Sequence, residues 1–378
     1  MVISTPRKRW NSQLALALAL LIPVAIEGRL IAEAIPEVLI SSERLNERLN
    51  YYLNKGLEDL DSGDYDSALD NFNKTIELDP TVWQAYHNRA IIKFDRKDFS
   101  GAFVDYTKAI ELNSDGFYWS FYNRGLISFK LEDWRGAIDD YSKAIELNSA
   151  NDLAYHNRAY SKQKLNDYEG AIDDYSKAIA LEPEEAHYYS SRGYSKQKLN
   201  NHQGVIDDYS KAIELDPNKA YYYSSRAYSK QKLGDFDGAI DDYSKAIELN
   251  PKNAYYYSSR GYIQAELKEY KKAIDDFSKA IELDPEEAYY YQIRGYCKGR
   301  LKDHQGAIDD FSKAIELEPN KAYYYSSRGD NKSSLGDNQG AINDYSKAIE
   351  LNPNENQDYI FRGNQKRISG DYQGAIDD

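Results

Sequence analysis

The stretch AYYYSSRAYSKQKLGDFDGAIDDYSKAIELNPKN, residues 220–253, holds two helical patterns and two stops. From Ala220 to Leu233 there is neither Gly nor Pro. Gly234, Asp235 and Gly238 then supply turn residues, and Pro251 closes the segment. In the second half Ala239, Ile240, Tyr243, Ala246, Ile247 and Leu249 recur at spacings of three and four, the apolar stripe of an amphipathic helix. One such helix pair cannot enclose a core. It needs a neighbour on each side.

The neighbours are written into the same chain. Ala68, Ala102, Ala137, Ala171, Val205, Ala239, Ala273, Ala307, Ala341 and Ala375 align at intervals of 34, with one interval of 35 where NSDGF (113–117) adds a residue. Such repetition explains a composition of 36 tyrosines with one cysteine and one methionine in 378 residues. The expectation is an all-α solenoid of stacked antiparallel helix pairs over 49–378, nine complete repeats and a truncated tenth.

With the aligned Ala set as position 20, the sequence resembles the tetratricopeptide repeat family. Tyr223, Ala227, Ala239, Tyr243, Ala246 and Pro251 stand at the family's positions 4, 8, 20, 24, 27 and 32. Tyr257, Gly261, Ala273, Phe277, Ala280 and Pro285 repeat the frame. The resemblance implies a right-handed superhelix that binds a peptide or protein in a concave groove, with no cofactor and no enzymatic activity of its own. It departs from the family at positions 7 and 11, where Arg226 and Lys230 replace apolar and aromatic residues. Their stems are expected to pack and their charged ends to reach solvent.

The resemblance also implies that positions 2, 5, 9, 12 and 13 line the groove. This nominates Tyr221, Ser224, Tyr228, Gln231 and Lys232, then Tyr255, Ser258 and Tyr262, with Tyr160 and Tyr194 at position 9 of earlier repeats. Tyrosine offers apolar area and a hydroxyl at low entropic cost. Rings that only stack between repeats and fix the superhelix are the alternative. Asn88, Asn123 and Asn157, all at position 6, are the other candidates, because consecutive amides can hold an extended backbone. A clamp for chaperone C-termini needs Lys at 5 and Asn at 9, where this chain has His87 and Ile91 or Ser190 and Tyr194.

Charge is unevenly divided. First helices carry Arg192, Lys196, Lys198, Arg226, Lys230 and Lys232, whereas second helices carry Asp207, Asp208, Glu214, Asp241, Asp242 and Glu248. This suggests an acidic outer face and a groove suited to an acidic or extended polar peptide. The net charge of −14 argues against nucleic acid. His87 and His156 share position 5, and His202 and His304 share position 17, so they read as exposed variants of a template and not as a catalytic set. Adjacent carboxylates such as Asp241 and Asp242 read as a solvated face, and Cys297 as a small core residue.

The first 34 residues differ. Arg7, Lys8 and Arg9 precede an apolar run from Leu14 to Ile26, and Ala32-Glu33-Ala34 offers a cleavage site. A signal peptide or an N-terminal membrane anchor is expected over 1–34, then a linker or capping helix over 35–48. Either form implies an exported array, touching membrane only through that segment. The repeat breaks off at Asp378, which reads as a fragment. A recruiting arm for an enzyme domain beyond it, or a structural envelope spacer, are the alternatives to the interaction scaffold.

Overall fold

The computed structural model describes residues 35–113 and 117–378, with side chains from residue 43. The expected leader, residues 1–34, lies outside them. Among the described residues there are twenty helices and no strand, and no helix is long and apolar enough to cross a membrane. The chain divides at Leu112/Asn113 into two compact units, where the repeat interval is 35. The first holds helices Ile35–Ser62, Tyr65–Leu78, Trp83–Asp95 and Phe99–Leu112. The second begins at Tyr118–Lys130 and ends at Tyr372–Asp377. Helix Ile35–Ser62 runs unbroken through residue 48, so the expected capping segment continues directly into the first helix of repeat 1. No Gly or Pro lies between Pro36 and Gly56 to interrupt it.

Each repeat is a first and a second helix. In repeat 6 these are Ala220–Lys232 and Phe236–Leu249. Buried clusters take residues from both sides of a boundary: Ala227, Ala239 and Tyr243 pack with Ile263 of repeat 7, and Val205, Tyr209 and Ala212 with Tyr222 of repeat 6. Tyr223, at the packing position, is buried against Ala246 and Tyr256. The stack is therefore held by the shared surfaces the periodicity required.

The turn between the helices is fixed by two positions. Position 15 ends the first helix in the left-handed region, with the Asp235 N–H donating to the Lys230 carbonyl at 3.0 Å across it. Gly63, Gly234, Gly336 and Gly370 occupy it at φ 80–87°, but Lys268 and Lys302 are held there at φ 64° and 66°. A side chain in that region is disfavoured by roughly 1 kcal/mol. Lys268→Gly with Lys302→Gly is thus expected to stabilise the array by ~1 kcal/mol or more, measured as a higher urea midpoint with an unchanged slope.

Position 16 caps the second helix. The Asp235 carboxylate accepts the Gly238 N–H at 3.0 Å, and a Cβ on Gly238 would sit 2.3 Å from Asp235 Oδ2. The cap therefore favours glycine at position 19, although in repeat 1 Asp64 accepts the Ser67 N–H at 3.2 Å. Repeat 7 has Glu269 and Lys272 instead, lacks the side-chain cap, and joins the two by a 2.9 Å ion pair.

Candidate functional site

Within the second compact unit successive first helices approach one another: Asp152–Lys164 meets Ala186–Lys198, and Ala288–Arg300 meets both Ala254–Glu266 and Ala322–Ser334. Residues shared by those helices therefore fall into rows across the stack. One helix turn advances about 3.6 residues, so positions 2 and 9 lie on one face two turns apart.

Position 9 is tyrosine in repeats 4 to 8, and position 2 is tyrosine in repeats 6 to 9, with Leu153 and His187 before it. Tyr194, Tyr221, Tyr255 and Tyr262 are 36–50% exposed, while Tyr222 and Tyr223 between them are buried. Tyr160 and Tyr228 are half-buried. The Tyr160 ring packs 5.2 Å from Phe129 and 6.3 Å from Trp134, and Tyr228 lies 6.2 Å from His202, so each is braced by the preceding repeat. Both stacking and exposure are thus present in one row. Tyr296 and Tyr323 belong to these rows and are 40% and 51% exposed, and Tyr289, between Tyr255 and Tyr323 in the position 2 row, is half-buried. Sequence reasoning stopped at Tyr262 although the same positions recur in the next two repeats.

The asparagine row is not a solvent-facing surface. Asn88, Asn123 and Asn157 are buried. The Asn88 amide donates to the Gln84 carbonyl at 2.8 Å, and that of Asn157 to Tyr122 Oη at 3.1 Å. Position 6 is turned about 100° from position 5 on a helix, toward the adjoining repeat. Ser224 and Ser258, expected on the groove, form a buried floor whose hydroxyls donate to the Tyr221 and Tyr255 carbonyls.

The charges also sit differently. Arg226 does not reach freely into solvent: Nη2 and Nε grip the Asp242 carboxylate at 2.6 and 2.8 Å, and Nη1 donates to Ser210 of the preceding repeat at 3.0 Å. Lys230 reaches the same carboxylate at 2.9 Å. Arg192, Asp208 and Ser176 repeat the arrangement, as do Arg294, Asp310 and Ser278. A bidentate guanidinium thus ties each of repeats 4 to 10 internally and to its predecessor. Asp242 is buried and only Asp241 is solvated. Most of the cations that suggested a basic groove are consumed here. Exposed cations remain at position 13, among them Lys164, Lys198 and Lys232 in consecutive repeats.

The histidines are not exposed either. His87 is buried, its ring 5.4 Å from Tyr106, and burial lowers its pKa to about 3. His156 packs 5.0 Å from His187 and 5.1 Å from Tyr188, its Nδ1 without a hydrogen-bond partner. Cys297 is buried, which pushes its thiol up to about 12, far from a nucleophile's range. Among the described residues no group of three or more His, Cys, Asp or Glu side chains is placed to hold a metal ion.

Tetratricopeptide repeat models match residues 118–151, 153–185 and 254–287, and 186–219, 288–321 and 322–355, and 53–116, with a further TPR repeat match over 231–268. A tetratricopeptide repeat protein 36 homolog from Nematostella vectensis is 40% identical over 68 residues, 18% of this chain. The match spans only 38% of that relative's length. Among solved structures, the C-terminal part of a TPR repeat-containing protein from Cytophaga hutchinsonii is 20% identical with a TM-score of 0.55, over 63% of this chain and 97% of that one. It shares the fold. A MamA protein structure is 26% identical with a TM-score of 0.43, over 46% of this chain and 94% of that one.

Proposed function

We propose that this chain, which belongs to the tetratricopeptide repeat family of protein–protein interaction scaffolds, binds an extended peptide segment across the first helices of its second compact unit. The fold is typically a non-enzymatic one, and the reading assigns the chain no chemistry of its own. One observation carries it: tyrosines stand at both positions 2 and 9 in the consecutive repeats 6, 7 and 8, most of them exposed, and the first helices of repeats 7 and 8 touch. Braced aromatic rings bury large area while losing little entropy, the property of interface anchors.

The test is selection of random twelve-residue peptides on the full chain, followed by titration against Tyr221→Ala/Tyr228→Ala/Tyr255→Ala. One anchor is expected to contribute about 2 kcal/mol, or ~30-fold, so the triple variant should bind selected peptides more than ~30-fold more weakly with its circular dichroism unchanged. Undiminished binding would reject the surface.

A further inference from the structure

Resting on that reading, we infer that the segment bound is proline-rich, in the polyproline II conformation, with a carboxylate at every third residue. Three properties of the surface lead there: the spacing of its rows, the chemistry of its floor and the placement of its uncommitted cations.

The spacing comes first. Contacting helices lie about 10 Å axis to axis, so equivalent tyrosines of adjacent repeats recur at about that distance. A β-strand returns to the same face every two residues, about 6.8 Å, and drifts out of register within one repeat. A polyproline II helix returns every three residues, about 9.3 Å, and keeps register over several repeats. Along each first helix the two rows are separated by seven residues, about 10 Å, which is wide enough to seat such a helix between them; the position 2 wall is Leu153 and His187 in repeats 4 and 5 and tyrosine from Tyr221 onward.

The floor between the rows agrees. Ser190, Ser224 and Ser258 are buried, and their hydroxyls donate to the His187, Tyr221 and Tyr255 carbonyls at 3.1–3.2 Å. They are engaged with their own helices. The trough therefore offers ring faces and few donors to a main chain, which suits proline, whose nitrogen carries no hydrogen and whose ring packs on aromatics.

Charge sets the third residue. The cations at positions 7 and 11 are committed to buried carboxylates, but Lys164, Lys198 and Lys232 stand one repeat apart on the exposed face. Their ammonium groups lie 5.2–5.3 Å over the rings of Tyr160, Tyr194 and Tyr228, with no carboxylate partner among the described residues. A carboxylate once per three-residue turn would meet each lysine beside the tyrosine its neighbouring prolines cover. Glu266 interrupts the row in repeat 7 and Arg300, over the Tyr270 ring, resumes it in repeat 8, so the acidic triplets belong over repeats 4 to 6, residues 152–253.

The experiment is fluorescence anisotropy with the full chain and labelled peptides of five Pro-Pro-Glu, Pro-Pro-Lys or Gly-Ser-Glu triplets. Pro-Pro-Glu is expected to bind about tenfold tighter than either of the others. Lys164→Gln/Lys198→Gln/Lys232→Gln should remove most of that preference over Pro-Pro-Lys and flatten the salt dependence. Equal binding of Pro-Pro-Glu and Pro-Pro-Lys, or of Pro-Pro-Glu and Gly-Ser-Glu, overturns the inference. If selection yields peptides that need the tyrosines yet lack this triplet, the inference fails and the groove stands; if no selected peptide needs the tyrosines, both fail.

Discussion

Asp242→Ala is expected to destabilise the second compact unit by about 3–5 kcal/mol, whereas the neighbouring Asp241→Ala should change stability by no more than ~0.5 kcal/mol. The two residues are adjacent on one helix and identical in type. The Asp242 side chain is 6% exposed, accepts from both the Nε and Nη2 of Arg226, and also meets Lys230. Removing it strands two cations that the fold holds largely out of water. Asp241 faces solvent and leaves nothing behind.

Loss of the carboxylate also frees the guanidinium whose third arm reaches Ser210, so the boundary between repeats 5 and 6 should weaken with repeat 6 itself. In a linear array such a defect separates blocks, and urea unfolding followed by helical ellipticity should broaden or split into two transitions. Replacing the whole cluster, Arg226→Met with Lys230→Met and Asp242→Leu, should recover most of the loss, because no charge is then left unpaired. Equal effects of Asp242→Ala and Asp241→Ala would show that the cluster contributes no more than a surface pair.

This network was present in the sequence but hard to see there. Arg at position 7 and Asp at position 23 occur together from repeat 2 onward, and repeat 1 changes both at once, to Lys55 and Asn71. There Asp59 at position 11 takes the carboxylate role, 3.1 Å from Lys55 and 2.8 Å from the Asn71 amide. The joint change was the signal of contact. A charged residue read singly defaults to the surface, which is why the pair escaped. The apolar positions were legible because burial follows helical period directly: Ala239, Tyr243 and Ala246 are all fully buried.

The groove was half legible for a related reason. Position 9 tyrosines were placed on the open face by the repeat frame, and exposure of Tyr194 and Tyr262 agrees with that placement. Position 6 asparagines differ from position 5 by one residue, a rotation that moves a side chain from the open face toward an adjoining repeat, for Asn157 the preceding one. Only packing decides that step. Asn157 settles against Tyr122, a contact 35 residues away.

Acidification is expected to weaken the fold through His87 and His156, one in each compact unit. Burial lowers both to about 3; for His156 the adjacent His187 adds to the effect. An unfolded chain binds these protons near pH 6.5, so the native state holds the neutral rings and the unfolded state the charged ones. Stability from this source is complete above about pH 6.5 and declines by up to ~1.4 kcal/mol per pH unit for each histidine until the folded values near 3 are reached. Between pH 7 and 5 each should contribute a loss of about 2 kcal/mol. Phenylalanine keeps a ring against Tyr106 or Tyr188 and cannot take up a proton. His87→Phe/His156→Phe should therefore reduce the decline between pH 7 and 5 by ~4 kcal/mol relative to the unaltered chain, read from urea midpoints at each pH. Carboxylate titration affects both proteins alike and cancels in the difference. Parallel pH profiles for the two proteins would mean that neither ring is kept neutral by the fold.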